Sequence, residues 1–321
     1  MSDLDKDKID DRLYEILFPQ NSERLNHLQS TKKHFVHYTT ANAATSIIKN
    51  KSIWFRQPYL MNDRAELALG LGFLQKAYSD DNYRFKTLLE SYYPGISTQI
   101  ESDFDSLHRA STEDMYIFCV SEHEEHENDC GRLSMWRGYG RDAGVAIVLN
   151  HENFLTESPG INAYLSPVFY SNYQNFLDNF KKIQKNLIEN EDFIKNIGPE
   201  VFQIGVLNMF RFSVLSTKHS GFSEEKEWRI IYSPLVEESP HLQRSVEVIN
   251  GMPQEIHSFH LENDQAKGLM KVELNNLIEK IIIGPTNYPM PLYKAFVKLL
   301  SDAGVEDAAR KVVVSDIPLR V

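Results

Sequence analysis

Two glutamates separated by a single residue are the clearest candidates for chemistry in this chain. Glu225 and Glu227 come directly before the short apolar segment Arg229 to Tyr232, which predicts a β-strand. Because side chains two apart point the same way in an extended backbone, both carboxylates are expected to project from one edge. Such a pair suits the stabilisation of a developing positive charge, although solvated acids at the end of a strand fit the same pattern.

A second group of candidates lies in the segment from His34 to Asp63. The sequence predicts a strand at Phe35 to Tyr38, a helix at Ala41 to Lys49, a second strand at Ser52 to Arg56 and a loop after Pro58. This strand, helix, strand and loop unit carries imidazole, indole and guanidinium groups within a short stretch of chain. It is therefore the expected partner of the glutamates in a binding site.

Length, composition and charge limit the class of protein. The chain has 321 residues with 42% hydrophobic content, which is enough to bury a substantial core. The net charge of -11 argues against sequence-blind binding to nucleic acid or anionic membrane. With no apolar run of membrane-spanning length and a charged start, we expect a cytoplasmic protein that does not enter the membrane.

The order of predicted elements indicates an α+β fold. We expect residues 1–31 to form an N-terminal helical extension and residues 32–321 to form a single domain. Helical inserts are expected at about 64–110 and 172–215, where apolar residues recur at helical spacing.

The acidic loop around His123 and His126 raises the question of a metal site. The two histidines lie three residues apart, whereas zinc peptidases place theirs four apart on a helix. We therefore expect a solvated loop and no bound metal. Cys119 and Cys130 are expected to be reduced thiols.

Several motifs resemble known families. Residues 35–39, the helix that carries Ile47 and Ile48, and residues 52–55 resemble the opening of the ADP-ribosyltransferase superfamily, and DarT-type transferases that modify DNA bases show a similar order. The Glu225-x-Glu227 pair resembles the Glu-x-Glu turn and strand that many members use for catalysis. His37 stands where the arginine-targeting toxins have Arg, so the chain resembles the His-class branch.

A closer resemblance, over about residues 34 to 290, is to a bacterial domain family of unknown function whose members often accompany phage-defence genes. The motifs that carry it occur in the expected order. They are Met61-Asn62-Asp63 with Glu66, Leu133-Ser-Met-Trp136-Arg-Gly-Tyr139, Glu225-Lys-Glu227-Trp-Arg229-Ile and Ile282-Ile-Gly284-Pro285.

Together the resemblances imply an ADP-ribosyltransferase-like split central β-sheet and an NAD-dependent mono-ADP-ribosyltransferase, a glycosyltransferase with NAD as co-substrate. The protein is expected to be a toxin or antiviral defence effector that modifies a nucleic-acid base, either DNA or RNA, and releases nicotinamide. A protein acceptor, an NAD glycohydrolase and a non-catalytic nucleotide-sensing module remain alternatives. An antitoxin or activator is a possible partner, and the sequence leaves the oligomeric state open.

In such an enzyme the glutamates would be catalytic. Cleavage of the bond between nicotinamide and ribose passes through an oxocarbenium-like state, which Glu227 would stabilise while holding a ribose hydroxyl. Glu225 would deprotonate or orient the acceptor. Which of the two is the main catalytic residue stays open at this point.

The remaining candidates would bind NAD. His37, assisted by Thr39, is expected to contact the adenosine ribose, and Arg56 the pyrophosphate; one aromatic ring is expected to stack on nicotinamide. The full set of expected NAD-binding residues is His37, Tyr38, Thr39, Trp54, Phe55, Arg56 and Asn62.

Overall fold

The computed structural model describes residues 3–31, 33–61, 64–80, 84–111, 114–140, 143–150, 153 and 161–318. These residues form an α+β protein with one large mixed sheet and many helices. The described helices include none that is both long and apolar enough to cross a membrane. Asn62 lies outside the described residues.

The helices vary from single turns to five turns. Their bounds are Asp3–Leu17 (α1), Pro19–Thr31 (α2), Ala41–Asn50 (α3), Arg64–Asp80 (α4), Arg84–Tyr92 (α5), Ile96–Ser111 (α6), Leu133–Met135 (α7), Tyr173–Glu189 (α8), Glu191–Ile197 (α9), Pro199–Leu215 (α10), Leu274–Leu277 (α11), Pro289–Asp302 (α12) and Ala308–Lys311 (α13). A π-helical turn, Trp136–Gly140, follows α7 directly.

The strands are mostly antiparallel. They are His34–Thr40 (β1), Ser52–Arg56 (β2), Tyr116–His123 (β3), Gly144–Leu149 (β4), Ala163–Pro167 (β5), Phe169–Ser171 (β6), Thr217–His219 (β7), Glu227–Tyr232 (β8), Leu242–Ile249 (β9), Met252–His260 (β10), Ile278–Ile283 (β11) and Val312–Val314 (β12). In the main sheet the order is β12-β11-β4-β1-β3-β2-β10-β9, with β8 paired to β3 and β5, while β6 and β7 form a separate parallel pair.

The main sheet divides at β3. Ser121 of β3 lies opposite both Val36 of β1 and Glu227 of β8, whereas Ile117 of β3 lies opposite Arg56 of β2 and a residue of β8. Because β8 occupies one edge of β3 throughout, β1 and β2 must share the other edge at its two ends. The two strands therefore diverge along the middle of β3.

The chain forms two compact units, residues 1–30, 58–114 and 166–223, and residues 31–57, 115–165 and 224–321. The first contains α1, α2, α4–α6 and α8–α10, and the second contains the main sheet. In the first unit α1 packs closely on α10, because a Cβ at Gly205 would lie 2.7 Å from Leu13. The expected arrangement of one domain with an extension and two inserts stays a prediction.

Candidate functional site

The registers of β1, β3 and β8 decide which side chains share a surface of the sheet. Directly paired residues point to the same side, and successive residues alternate. Val36, Ser121, Glu227 and Arg229 therefore project from one surface, which we call the Glu227 face. Trp228 and the residue opposite it on β3, Val120, project from the other surface, the Trp228 face.

The two candidate glutamates flank a residue with an unusual backbone. A 3₁₀ turn ends at Glu225, β8 begins at Glu227, and Lys226 between them has φ 44°. A positive φ is unfavourable for a residue with a side chain and is often found where function requires it. The Lys226 carbonyl accepts a hydrogen bond from the Glu122 N–H at 2.9 Å, which holds this conformation.

The Lys226 side chain is held as well. Its ammonium lies 2.8 Å from Glu124, which also accepts a hydrogen bond from Lys33 at 3.0 Å. Hydrogen bonds from these two lysines lower the pKa of Glu124 to about 2. The turn between the candidate glutamates is thus fixed through its backbone and through its side chain.

Arg132 connects this turn to β3. Its guanidinium donates to the carbonyls of Glu224 at 2.6 Å and Glu225 at 3.1 Å, to the carbonyl of Glu122 at 2.8 Å and to the Ser121 hydroxyl at 3.0 Å. The Ser121 hydroxyl donates in turn to the Glu225 carbonyl at 2.5 Å. These bonds place the Glu225 backbone against the strand.

The charge of Arg132 is balanced by a buried carboxylate. Its Nε and Nη2 donate to the two oxygens of Glu127 at 2.7 and 2.6 Å, a bidentate geometry. Burial acts to raise the pKa of Glu127, but the Arg132 contacts outweigh it and hold this pKa below its ordinary value. The expectation of a fully solvated loop is corrected here, since Glu127 and Arg132 are both buried.

Glu227 also has a cationic neighbour. Its Oε1 accepts from Arg229 Nε at 2.8 Å and its Oε2 from Arg229 Nη2 at 3.3 Å. The relative exposure is 6% for Glu227 and 1% for Arg229. The guanidinium therefore pairs with a nearly buried carboxylate and fixes its orientation.

The aromatic side chain of Tyr139 lies beside Glu225. It lies on the π-helical turn, is 37% exposed, and its hydroxyl is 3.5 Å from Glu225 Oε1. Turns of this type are frequent at functional sites because they redirect a side chain. An exposed phenol is thereby placed beside the first carboxylate.

The indole ring of Trp136, in the same π-helical turn, packs directly against several glycines. A Cβ added at Gly131, Gly144 or Gly284 would lie 2.4, 3.1 or 2.7 Å from its indole ring, so only glycine leaves room for the ring. The indole N–H donates to the Cys130 carbonyl at 2.9 Å. Two of the motifs predicted from sequence, those around Trp136 and Gly284, therefore meet in space.

His37 and Phe55 do not share the Glu227 face. They project from the Trp228 face, where both rings contact Phe118. The His37 Nδ1 lies 2.9 Å from the Cys119 carbonyl, and burial lowers the pKa of His37. Thr39 is two residues further along β1 and therefore lies on the same side as His37. This corrects the expectation that one cleft combines these residues with Glu225 and Glu227.

Tyr38 is on the Glu227 face but is enclosed. Its hydroxyl accepts from the Arg132 N–H at 2.7 Å and lies 2.6 Å from His123 Nε2, and its ring contacts Trp136 at 4.9 Å between centroids. Burial raises the pKa of the phenol. With 6% exposure the ring has no open surface on which nicotinamide could stack.

Trp54 and Arg56 are the members of the expected NAD-binding set that lie half-buried on the Glu227 face. Arg56 Nη2 donates to the Gln254 amide oxygen at 2.9 Å. Its buried Nε has no hydrogen-bond partner among the described residues, and burial lowers the pKa of the guanidinium. A cation held in this way is suited to an anionic ligand.

No local pattern in the sequence points to Arg132, Glu127 or Ser121 as functional residues. A lone Arg directly before an aromatic helical motif is the one indication that could have pointed to Arg132. Within the described residues, no group of three or more His, Cys, Asp or Glu side chains could hold a metal ion.

Comparison with known proteins gives a family of unknown function. The model of the family DUF2971, which is described as a protein family of unknown function, matches residues 135–230. The matched segment contains Trp136, Tyr139, Glu225, Glu227 and Arg229. No curated protein and no solved structure matches the chain.

Proposed function

We propose that the protein is an NAD-dependent mono-ADP-ribosyltransferase whose catalytic centre is the pair Glu225 and Glu227. The observation that carries the proposal is the turn between them: Lys226 adopts a left-handed conformation while Arg132 bonds the carbonyls of Glu224 and Glu225. A strained backbone that is held by surrounding contacts is typical of functional sites, and packing alone does not require it.

The chemistry assigns a different task to each carboxylate. The bond between nicotinamide and ribose breaks with its electron pair leaving on nicotinamide, and the positive charge that develops on the ribose is stabilised by Glu227. Arg229 pairs with the Glu227 carboxylate and holds its orientation. Glu225 accepts the proton of the acceptor nucleophile as the new bond to the ribose carbon forms. Glu227 is then the main catalytic residue.

The proposal assigns NAD binding to fewer residues than the sequence predicts. Trp54 and Arg56 share the Glu227 face, so in the proposal the indole stacks on nicotinamide and the guanidinium binds the pyrophosphate. His37, Thr39 and Phe55 have no role in it. The divergence of β1 and β2 along β3 supports the proposal of a split, ADP-ribosyltransferase-like sheet.

For the acceptor we propose a nucleic-acid base, on the resemblance to DarT-type transferases. A role as a toxin or phage-defence effector in the cytoplasm, with an antitoxin or activator as partner, belongs to the same proposal. A protein acceptor is its rival because the net charge of -11 disfavours general nucleic-acid binding.

The test uses NAD labelled in the adenylate moiety, incubated with the protein and separate DNA, RNA and protein pools. We expect label in a nucleic-acid pool, with matching release of nicotinamide. Glu225→Gln should lose the transfer of label while retaining part of the nicotinamide release, since water can replace the acceptor. Nicotinamide release without labelled macromolecule would indicate an NAD glycohydrolase instead.

A second candidate is a non-catalytic module that binds a nucleotide. It is favoured by the Glu227–Arg229 pair, because a carboxylate already bonded to a buried guanidinium also serves a structural role. This candidate predicts that NAD binds without any release of nicotinamide, and that Glu227→Gln changes stability but no chemical step.

A further inference from the structure

The segment from Arg132 to Tyr139 contacts Glu225 through both of its ends. At its start, the Arg132 guanidinium donates to the carbonyls of Glu224 and Glu225. At its end, the Tyr139 hydroxyl lies 3.5 Å from Oε1 of Glu225. One short stretch of chain therefore fixes the backbone of Glu225 and also places an aromatic ring beside its carboxylate.

The two aromatic rings of this segment have different surroundings. Trp136 is 2% exposed, its indole N–H donates to the Cys130 carbonyl at 2.9 Å, and its ring packs against glycine backbone. Tyr139, three residues later in the same π-helical turn, is 37% exposed. The buried indole therefore holds the turn in place, while the phenol ring of Tyr139 stays accessible to a ligand.

The two glutamates differ in their access to solvent. Glu225 is half-buried, whereas Glu227 is 6% exposed and is paired with Arg229. In the proposed reaction Glu225 accepts the proton of the acceptor, so the acceptor has to reach this carboxylate from solvent. An acceptor at Glu225 therefore also meets the exposed ring of Tyr139.

Given the proposed transferase activity, we propose that Tyr139 binds the acceptor and decides whether the ribosyl group passes to a nucleobase or to water. The flat face of the base stacks on the phenol ring, which brings an N–H group on the edge of the base to Glu225. As this nitrogen forms its bond to the ribose carbon, nicotinamide leaves with the electron pair of the broken bond. The proton of the N–H group passes to Glu225.

Without the ring, water takes the place of the base. Water reacts at the same ribose carbon, gives its proton to Glu225 and yields free ADP-ribose. Because cleavage of the bond to nicotinamide depends on Glu227, loss of the Tyr139 ring should change the ratio of the two products more than the rate of nicotinamide release. A residue needed only for folding would lower both products together.

The first experiment compares the products of wild type and Tyr139→Leu, which removes the ring and keeps an apolar side chain. With NAD labelled in the adenylate moiety, we expect labelled nucleic acid to fall at least about tenfold and nicotinamide release to change less than about threefold. Tyr139→Phe keeps the ring and should retain most of the transfer. The matched control is Tyr164→Leu, the same change at a β5 tyrosine that is 40% exposed, and it should alter neither product.

The second experiment measures binding in the absence of NAD, so it does not depend on the reaction. Fluorescence anisotropy of labelled single strands of DNA and of RNA, each of mixed sequence, gives their affinity for the full chain at one salt concentration. Tyr139→Leu should weaken binding of the preferred strand about tenfold, while Tyr139→Phe and Tyr164→Leu should change it less than about threefold. Melting temperatures show that each variant is folded.

The two experiments distinguish failure of the role of Tyr139 from failure of the proposed function. If wild type releases no nicotinamide but Tyr139→Leu weakens binding of a strand, the transferase activity is contradicted and the contact of Tyr139 with a base is supported. Equal transfer and equal binding by wild type and a folded Tyr139→Leu variant would overturn the role of Tyr139 and leave the transferase proposal standing. Failure of both strands to bind wild type would also overturn it.

Discussion

Strands β1 and β8 each carry a polar side chain that the sequence marks as functional, and the structure treats the two differently. His37 of β1 has its Nδ1 on the Cys119 carbonyl and its ring against Phe118, so both its polar and its flat surfaces are used by the protein. Glu227 of β8 follows a left-handed Lys226 and pairs with Arg229. The contacts of His37 involve no strained backbone, whereas the turn before Glu227 contains the unfavourable φ of Lys226.

A polar residue in a buried strand is a stronger candidate for function when the surrounding contacts hold its backbone in an unfavourable geometry. The contacts of His37 with the Cys119 carbonyl and with the Phe118 ring are ordinary packing and hydrogen-bonding contacts of a strand residue. The turn at Glu225 is instead held by a buried arginine that bonds to its carbonyls. We therefore place the chemistry on the Glu227 face.

The largest expected effect on stability follows from removing Arg132. Arg132→Met leaves Glu127 buried without its cation and frees the Glu225 turn, so the free energy of unfolding should fall by about 3–5 kcal/mol in urea denaturation. Arg137→Met, an exposed change five residues further along the chain, is the control and should alter it by less than about 0.5 kcal/mol. A loss below about 1 kcal/mol for Arg132→Met would contradict the role given to this residue.

The next effect concerns the glycine contacts of Trp136. Gly284→Ala should destabilise the protein by about 1–3 kcal/mol in thermal unfolding, because its methyl group would meet the indole at 2.7 Å. Gly138→Ala, which has nothing within 4 Å, is the matched control. Combining Gly284→Ala with Trp136→Phe should recover part of the loss. Simple additivity of the two changes would show that the ring and the glycine do not interact.

Buried His123 is expected to make the stability of the protein depend on pH in a way that exposed histidines do not. Burial lowers the pKa of His123 to about 4, so the unfolded chain binds its proton first as the pH falls from about 6.5. The free energy of unfolding contributed by this group should decrease between pH 6.5 and 4 and then level off. His123→Gln should show a shallower decrease in denaturation at these pH values, and an unchanged slope would exclude His123 as its source.

The smallest effect is expected at His37. His37→Phe loses the hydrogen bond to Cys119, so stability should fall by about 1 kcal/mol, and nicotinamide release should change by less than about threefold. Steady-state kinetics and urea denaturation measure the two quantities. A hundredfold loss of activity in a folded His37→Phe variant would contradict this prediction. It would show that His37 of β1 takes part in the reaction.

Much of the sheet follows from the sequence. The apolar runs predict strands at Ile278 to Ile283 and Val312 to Val314, and β11 and β12 have these bounds. The last three residues of β11, Ile281 to Ile283, are all buried, which is typical of a strand that is covered on both sides. β9 was not predicted, since its Gln, Arg, Ser and Glu residues hide the strand pattern at the edge of the sheet, where pairing with β10 stabilises it.

The face of each strand could not be predicted. Shifting a pairing register by one residue moves every side chain to the other surface, and that register is set by partners distant in sequence. This is why His37 and Glu227 were expected to share a cleft but lie on opposite faces. The buried ion pair of Arg132 with Glu127 also depends on a loop conformation that no local pattern indicates.

Nicotinamide release from NAD by wild type, Glu227→Gln and Glu224→Gln measures whether Glu227 is the main catalytic residue. Glu224 is exposed in the same turn, and its side chain has no role in the proposal, so Glu224→Gln controls for loss of charge. With melting temperatures measured for all three, we expect release by wild type and Glu224→Gln and a loss of at least about a hundredfold for Glu227→Gln. Equal release by wild type and a folded Glu227→Gln variant would contradict it.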